Sequence, residues 1–272
     1  MSTSESSLTG IGLIRAASWG AKMKFHLLAS GSKGNCCIIQ AGDTRLVIDC
    51  GTSKKHLTHS FHNLGIDYTQ VAGIMLTHSH SDHISALKMF AQIPLYSPFA
   101  IEDRPDLVRI TPYVSFQIGD ATILPIPLSH DSGLTLGYVV SYGDESLVYV
   151  TDTGYVREHD FKHFENADYY IFESNHDPEL LMKTNRPIFT KKRILSDNGH
   201  LCNQDSAEVL SRVIGPSTQE IVLAHLSEEA NDEFLAYSTH MRMLKEVHPE
   251  KAANIRLRCA RQYETISGGQ HE

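Results

Sequence analysis

The stretch Val71-Ala72-Gly73-Ile74-Met75-Leu76-Thr77-His78-Ser79-His80-Ser81-Asp82-His83 decides the fold. Its first half is a short apolar run, which reads as a buried strand over residues 71–76. That strand delivers the chain to a loop carrying His78, His80, Asp82 and His83 in close succession. Imidazole and carboxylate donors together suit Zn, Mn and Fe. A tight loop aims alternate side chains into one cavity, so His78 and His80 would share one ion while Asp82 and His83 face a second. A merely solvated histidine-rich loop would need neither an apolar strand before it nor further ligand types after it.

Further ligand types do follow. His130 lies in Leu128-Ser129-His130-Asp131, Asp152 in Val150-Thr151-Asp152-Thr153-Gly154, and His225 in Leu223-Ala224-His225-Leu226-Ser227. Each ends a strand-like apolar run, the position where loops on a rigid scaffold carry function. Working outward, the pattern predicts strands over residues 24–28, 36–40, 45–49, 121–127, 137–141, 147–151, 169–173 and 220–224. Helical spacing covers residues 54–64, 84–90, 204–213 and 233–246. Strands with interleaved helices in two similar halves predict an α/β protein, an αββα sandwich in a single domain. The domain is expected over 23–265, between an N-terminal tail over 1–22 and a C-terminal tail over 266–272. Met23 could equally be the true start of the chain.

A chain of 272 residues suits one large α/β domain, and 41% hydrophobic with 21% charged residues is a globular profile. The five cysteines, at 36, 37, 50, 202 and 259, form neither an even framework nor a CxxC pair, so reduced thiols are expected. No apolar run approaches the ~18–20 residues that span a bilayer, and no secretory leader pattern opens the chain. The expectation is a cytoplasmic protein without a membrane partner. A net charge of −8 excludes a uniformly basic nucleic-acid binder but not a local basic patch over a metal site.

The HxHxDH run followed in order by His130, Asp152 and His225 resembles the metallo-β-lactamase superfamily over roughly residues 23–247. Four further stretches are similar to its YycJ (WalJ/VicX) branch: Ala29-Ser30-Gly31-Ser32-Lys33-Gly34-Asn35, Asp49-Cys50-Gly51, Asp197-Asn198-Gly199-His200-Leu201-Cys202-Asn203, and His225-Leu226-Ser227-Glu228-Glu229-Ala230-Asn231. Cys202 stands where the branch usually shows Ser. The resemblance implies a metal-dependent hydrolase with two divalent ions per chain (Zn, Mn or Fe), bridged by Asp152 and by a water or hydroxide. His78, His80 and His130 would hold the first ion, and Asp82, His83 and His225 the second. It further implies a phosphodiesterase, an exonuclease acting on nucleic acid, DNA in preference to RNA, with Asp82 and His200 serving the chemical step.

Asp49 ends an apolar strand. A buried carboxylate needs a partner, so it reads as the acceptor that fixes a ligand imidazole, or else as a turn Asp before Gly51. In related phosphodiesterase branches a histidine in a Gly-His context like Gly199-His200 binds phosphate or protonates the leaving oxygen, and an imidazole with an ordinary pKa of ~6.5 suits that task. The alternative is a histidine that only borders a helix. Lys183, Arg186, Lys191, Lys192 and Arg193 form a run free of acids just before His200, either a solvated face or a track for a phosphate backbone. That run favours phosphate over the rival substrates of the same site, a thioester or lactone. A scaffold protein would have lost ligands, and none is lost. A redox di-iron role is disfavoured, because His80 stands where such relatives carry a carboxylate.

Overall fold

Alternation along each strand divides the apolar residues between two faces. In the computed structural model, which describes residues 22–269, β1 (Lys24–Ala29) turns Phe25 and Leu27 to one side and Leu28 to the other. The same division recurs in β2 (Cys36–Ala41) and β3 (Thr44–Ile48), where Ile39, Leu46 and Ile48 face inward and Ile38 and Val47 outward. With β4 (Gly73–Met75), β5 (Leu95–Ser97), β6 (Val108–Arg109) and β14 (Ile266–Gly269) they form a seven-stranded sheet ordered β14-β1-β2-β3-β4-β5-β6. A second seven-stranded sheet contains β7 (Phe116–Ile118), β8 (Ala121–Leu128), β9 (Thr135–Tyr142), β10 (Glu145–Val150), β11 (Tyr169–Glu173), β12 (Glu220–Ala224) and β13 (Arg256–Cys259), in the order β13-β12-β11-β10-β9-β8-β7.

The inner faces meet in one core, where Phe25 and Ile39 of the first sheet join Tyr138, Tyr149 and Ile171 of the second. The outer faces are covered by helices. Leu57 and Phe61 of α1 (Lys54–Asn63) close the first sheet, beside the short α2 (Ser81–Ile84). On the second sheet, Val148, Tyr170 and Leu223 pack under α3 (Phe161–Phe164), α6 (Asn203–Val213) and α7 (Glu233–Val247). Two further helices, α4 (Pro178–Lys183) and α5 (Ile188–Ile194), share a small core of Leu181, Ile194 and Ala230, and α8 (Pro249–Ala252) follows α7. The layers are therefore α, β, β, α, as expected. Each fully buried large apolar side chain contributes roughly 1.5–3 kcal/mol, and both faces of both sheets supply them. No helix among the described residues is long and apolar enough to cross a membrane.

Two expectations need correction. Residues 266–269 are not tail: β14 pairs antiparallel with β1, Leu27 opposite Ile266, and closes the edge of the first sheet. Its alternation was hidden by Ser267, Gly268 and Gly269. The helix expected over 84–90 is instead α2, beginning at Ser81, and a separate 3-10 turn over Leu87–Phe90. Between them the Ser85 hydroxyl bonds Gly51 O at 2.6 Å and Ala86 N donates to Cys50 O at 2.9 Å, which ties the chain back to the loop after β3. The tail expected over 1–22 falls, except for residue 22, outside the described residues.

β8 and β10 both run antiparallel to β9, and β10, β11 and β12 run parallel to one another. The C-terminal ends of β8, β10, β11 and β12 thus lie at one end of the second sheet. In the first sheet β3 and β4 are parallel and end together. Contacts such as Leu136 N to Thr77 O at 3.0 Å and His225 N to Ser30 Oγ at 2.8 Å join the two sheets at that end.

Candidate metal centre

Every ligand-type residue picked out in the sequence stands just beyond one of those strand ends. Three residues within two positions of the ends of β3, β10 and β12 adopt positive φ without being glycine: Asp49 at 59°, Asp152 at 58° and His225 at 55°. The left-handed region is uncommon for such side chains and tolerated best by Asn, Asp and His. At these positions the twist turns a side chain inward from the strand end.

The structure brings His78, His80 and His130 together as one donor set, and Asp82, His83, Asp152 and His225 as another; within each, the ligand atoms lie within 4.8 Å of one another. Asp152 joins the two. Its Oδ1 is 3.5 Å from His225 Nε2 and 3.9 Å from His130 Nε2, and its Oδ2 is 3.2 Å from His83 Nε2. The outer nitrogens are committed elsewhere. His83 Nδ1 donates to Asp49 Oδ2 at 2.7 Å, His130 Nδ1 to Gly199 O at 3.0 Å, and His225 Nδ1 to Glu173 Oε1 at 3.0 Å. An imidazole that donates from Nδ1 keeps its Nε2 lone pair for the cavity. Asp49, buried, also accepts from Thr77 N and Thr77 Oγ1, both at 2.8 Å.

These residues fit divalent metal. His78 Nε2, His225 Nε2 and Asp152 Oδ2 are buried with no hydrogen-bond partner, a state that costs stability unless another ligand satisfies them. Asn35 Nδ2 lies 3.0 Å from His83 Nε2 and would have to yield that nitrogen to an ion. Charge points the same way. Burial favours neutral rings, yet Asp152 and Glu173 raise His225 to about 9, and Asp152 and Asp49 raise His83 well above the ordinary range. Burial and the neighbouring imidazoles push His78 down to about 2. Against burial, His225 and His83 hold Asp152 well below the usual carboxylate range. The cavity calls for positive charge, which protons supply only at the expense of the donor nitrogens.

Glu173 is the functional residue that the sequence reading missed. Wholly buried at the end of β11, it accepts from His200 Nδ1 at 2.7 Å as well as from His225, and against burial the two rings hold it down at about 2. His200 therefore sits beside the donor sets, its ring centroid 5.1 Å from those of His130 and His225 and its Nδ1 3.9 Å from Asp152 Oδ1. Its backbone N donates to Ile194 O at 3.0 Å, and Gly199 before it packs so tightly that a Cβ would lie 2.2 Å from the same oxygen.

The basic run is not one track. Lys191 points inward, its Nζ donating to Met182 O at 2.7 Å and Thr184 O at 2.8 Å. That ammonium caps the C-terminal end of α4 and is closed to phosphate, contrary to the expected substrate contact. Arg186 pairs with Glu229 at 2.9 Å, and Arg193 grips Asp131, the neighbour of His130. Lys183 and Lys192 remain exposed. The run has no acid in sequence, but the fold brings acids to it.

A β-lactamase superfamily domain model matches residues 44–226. The chain is 34% identical to exodeoxyribonuclease YycJ of Bacillus anthracis, over 82% of this chain and 90% of that protein. It is also 34% identical to exodeoxyribonuclease WalJ of Streptococcus pneumoniae, over 81% of this chain and 88% of that protein. Among solved structures, the metallo-β-lactamase fold protein YhfI from Bacillus subtilis superposes with a TM-score of 0.66 at 17% identity, covering 91% of this chain and 99% of that one. With its sandwich, its ordered donors and this similarity over most of its length, the chain belongs to the β-lactamase superfamily, in the branch of the YycJ and WalJ proteins.

Proposed function

We propose that this chain is a metal-dependent phosphodiesterase that degrades DNA as an exonuclease, using two divalent ions of Zn, Mn or Fe. One observation carries the reading: Asp152 stands between two imidazole-rich donor sets, with a further imidazole, His200, held beside them on the Glu173 carboxylate. The similar proteins named exodeoxyribonucleases supply the substrate class. Divalent cations, when bound, supply Lewis-acid activation of water and of the phosphoryl oxygen. The rest falls to the chain. Asp49 and Glu173 orient His83 and His225 through Nδ1, leaving Nε2 as the donor atom. The Glu173 bond holds His200 by Nδ1, so that with the ring protonated its Nε2–H can hold the scissile phosphate or deliver a proton to the leaving oxygen. Exposed Lys183 and Lys192 would meet the phosphate backbone without reading its sequence.

The test is to strip the purified chain, reload it separately with Mn and Zn, and count bound ions by elemental analysis. Each form is then assayed on end-labelled single- and double-stranded DNA and RNA. Stepwise shortening of DNA, abolished by chelation and by Asp152→Ala with loss of at least one ion, is the expected result. Turnover of a lactone or thioester without cleavage of any nucleic acid would overturn it.

A further inference from the structure

The helix pair beside the site exposes apolar side chains that the fold does not use. Only Leu181 and Ile194 of this pair are buried in its core. Met182, Ile188, Phe189 and Leu195 face solvent at 51%, 58%, 72% and 46% exposure. Exposed Lys192 and Lys183, the latter 3.9 Å from Glu179, stand among them, while Arg193 is engaged by Asp131. The Lys191 ammonium, clamped on carbonyls at the end of α4, holds the two helices in register.

The pair is also tied to the metal centre. Phe189 and Arg193 are four residues apart on α5, so they share a face and stand about 6 Å apart along its axis. Arg193 Nη2 donates to Asp131 Oδ1 at 2.8 Å, and that oxygen lies 3.5 Å from His130 Nε2 and 4.0 Å from His80 Nε2. The face that carries Phe189 therefore looks along the rim of the first donor set.

We infer that Phe189 is a stacking platform for a base of single-stranded DNA beside the scissile phosphate, with Lys183 and Lys192 flanking the backbone. The inference rests on the nuclease reading and narrows it to strands with unstacked bases. Charge complementarity decides the occupant. The chain carries −8 overall, yet this surface interleaves cations with apolar groups. A polyanion with exposed π-faces matches both features, since aromatic stacking and cationic contact together bind single strands without regard to sequence. A duplex hides its base faces. A second copy of this chain would bring the same sign of net charge.

The experiment compares kcat/KM of the metal-loaded full chain on single-stranded DNA and on bis(p-nitrophenyl) phosphate, a diester with no base to stack. Phe189 is largely exposed, so its substitution spares the fold. Phe189→Ala should lower kcat/KM on the strand roughly 5- to 100-fold, carried mainly by KM. Phe189→Trp should restore it, and Phe189→Leu should not. A strand in which 2-aminopurine replaces the base near the cut should lose fluorescence on binding to the parent chain and not to Phe189→Ala. Equal loss on bis(p-nitrophenyl) phosphate, rescue by Leu, or no change in any variant overturns the platform while the nuclease reading stands. So does a shift of Phe189→Ala from dimer to monomer in sedimentation at unchanged strand kinetics, which would assign the face to a second copy. A parent chain that cleaves no nucleic acid overturns both.

Discussion

The Glu173 carboxylate accepts from two rings with different tasks, His225 in a donor set and His200 beside it. A neutral amide cannot replace it. Both rings bond Oε1, while Oε2 accepts from Thr153 N at 2.8 Å, so the NH2 group of a Gln would face either an Nδ1–H or the Thr153 N–H, and each needs an acceptor. Glu173→Gln should therefore weaken metal binding about 10- to 100-fold, the usual scale for losing a partner that orients a ligand. His200→Ala should separate the two tasks. Metal content by elemental analysis should stay at the parent value while the rate on DNA falls roughly 10²- to 10⁴-fold. A p-nitrophenolate leaving group, which needs little protonation, should shrink that loss; an equal fall on both substrates would point to phosphate positioning. Loss of a metal from His200→Ala would place this histidine inside the ligand set, which the grouping of His200 with Asp152, Glu173 and His225 makes the sharpest alternative. Glu173 was illegible in sequence for a plain reason. It is the last residue of the apolar run Tyr169–Glu173 and so reads as a strand end, and its partners lie 27 and 52 positions away.

Elements act here through their ends. The loop after β3 grips the metal loop and the residues that follow it backbone to backbone, with Cys50 N donating to His83 O at 2.8 Å and Ala86 N to Cys50 O at 2.9 Å. A Cβ on Gly51 would come 1.6 Å from Asp82 O, an unyielding peptide oxygen. Gly51→Ala should thus push Asp82 and His83 out of the second donor set, seen as lost metal affinity and a lower melting temperature. Unchanged metal content would show that the loops slide freely. In the helix pair, Lys191 and Lys192 are neighbours with opposite fates. Lys191→Ala leaves two carbonyls without their donor and should cost about 1–3 kcal/mol in denaturant unfolding. Lys192→Ala should leave stability within about 0.5 kcal/mol and lower the salt slope of DNA binding by roughly one unit. If both variants behave alike, the division fails. Long periodic segments such as α6 and α7 and the β8–β12 strands were legible because their apolar spacing matches burial. The β5, β6 and β13 strands are short, and α4 and α5 bury too little to leave a period. Burial of Lys191 depended on carbonyls at the end of α4, which no local pattern announces.

At the scale of the molecule, two sheets converge their strand ends on one cavity whose charge must be balanced, and protons compete with metal to balance it. His225, raised to about 9, and His83, raised well above its ordinary range, hold protons in the metal-free fold that an unfolded chain gives up near pH ~6.5. A raised pKa contributes stability that is fully present below ~6.5 and lost as pH climbs through the folded value. His78, pushed down to about 2, and His130, lowered by burial, work in the opposite sense. They stay neutral in the fold while the unfolded chain takes up protons, so they cost stability below ~6.5. The metal-free protein should therefore be most stable near pH ~6.5 and weaken on both sides. Metal ligation requires deprotonated imidazoles, and binding releases their protons. A bound cation then supplies the charge that the imidazolium rings supplied, and the alkaline loss should disappear. Melting temperatures in chelator and in saturating metal, measured from pH ~5 to ~9, should lie close together at the acid end and separate steadily above ~6.5. Parallel curves across that range would mean that the raised histidines are not the groups a metal displaces, and the donor sets would have to be drawn without His83 and His225.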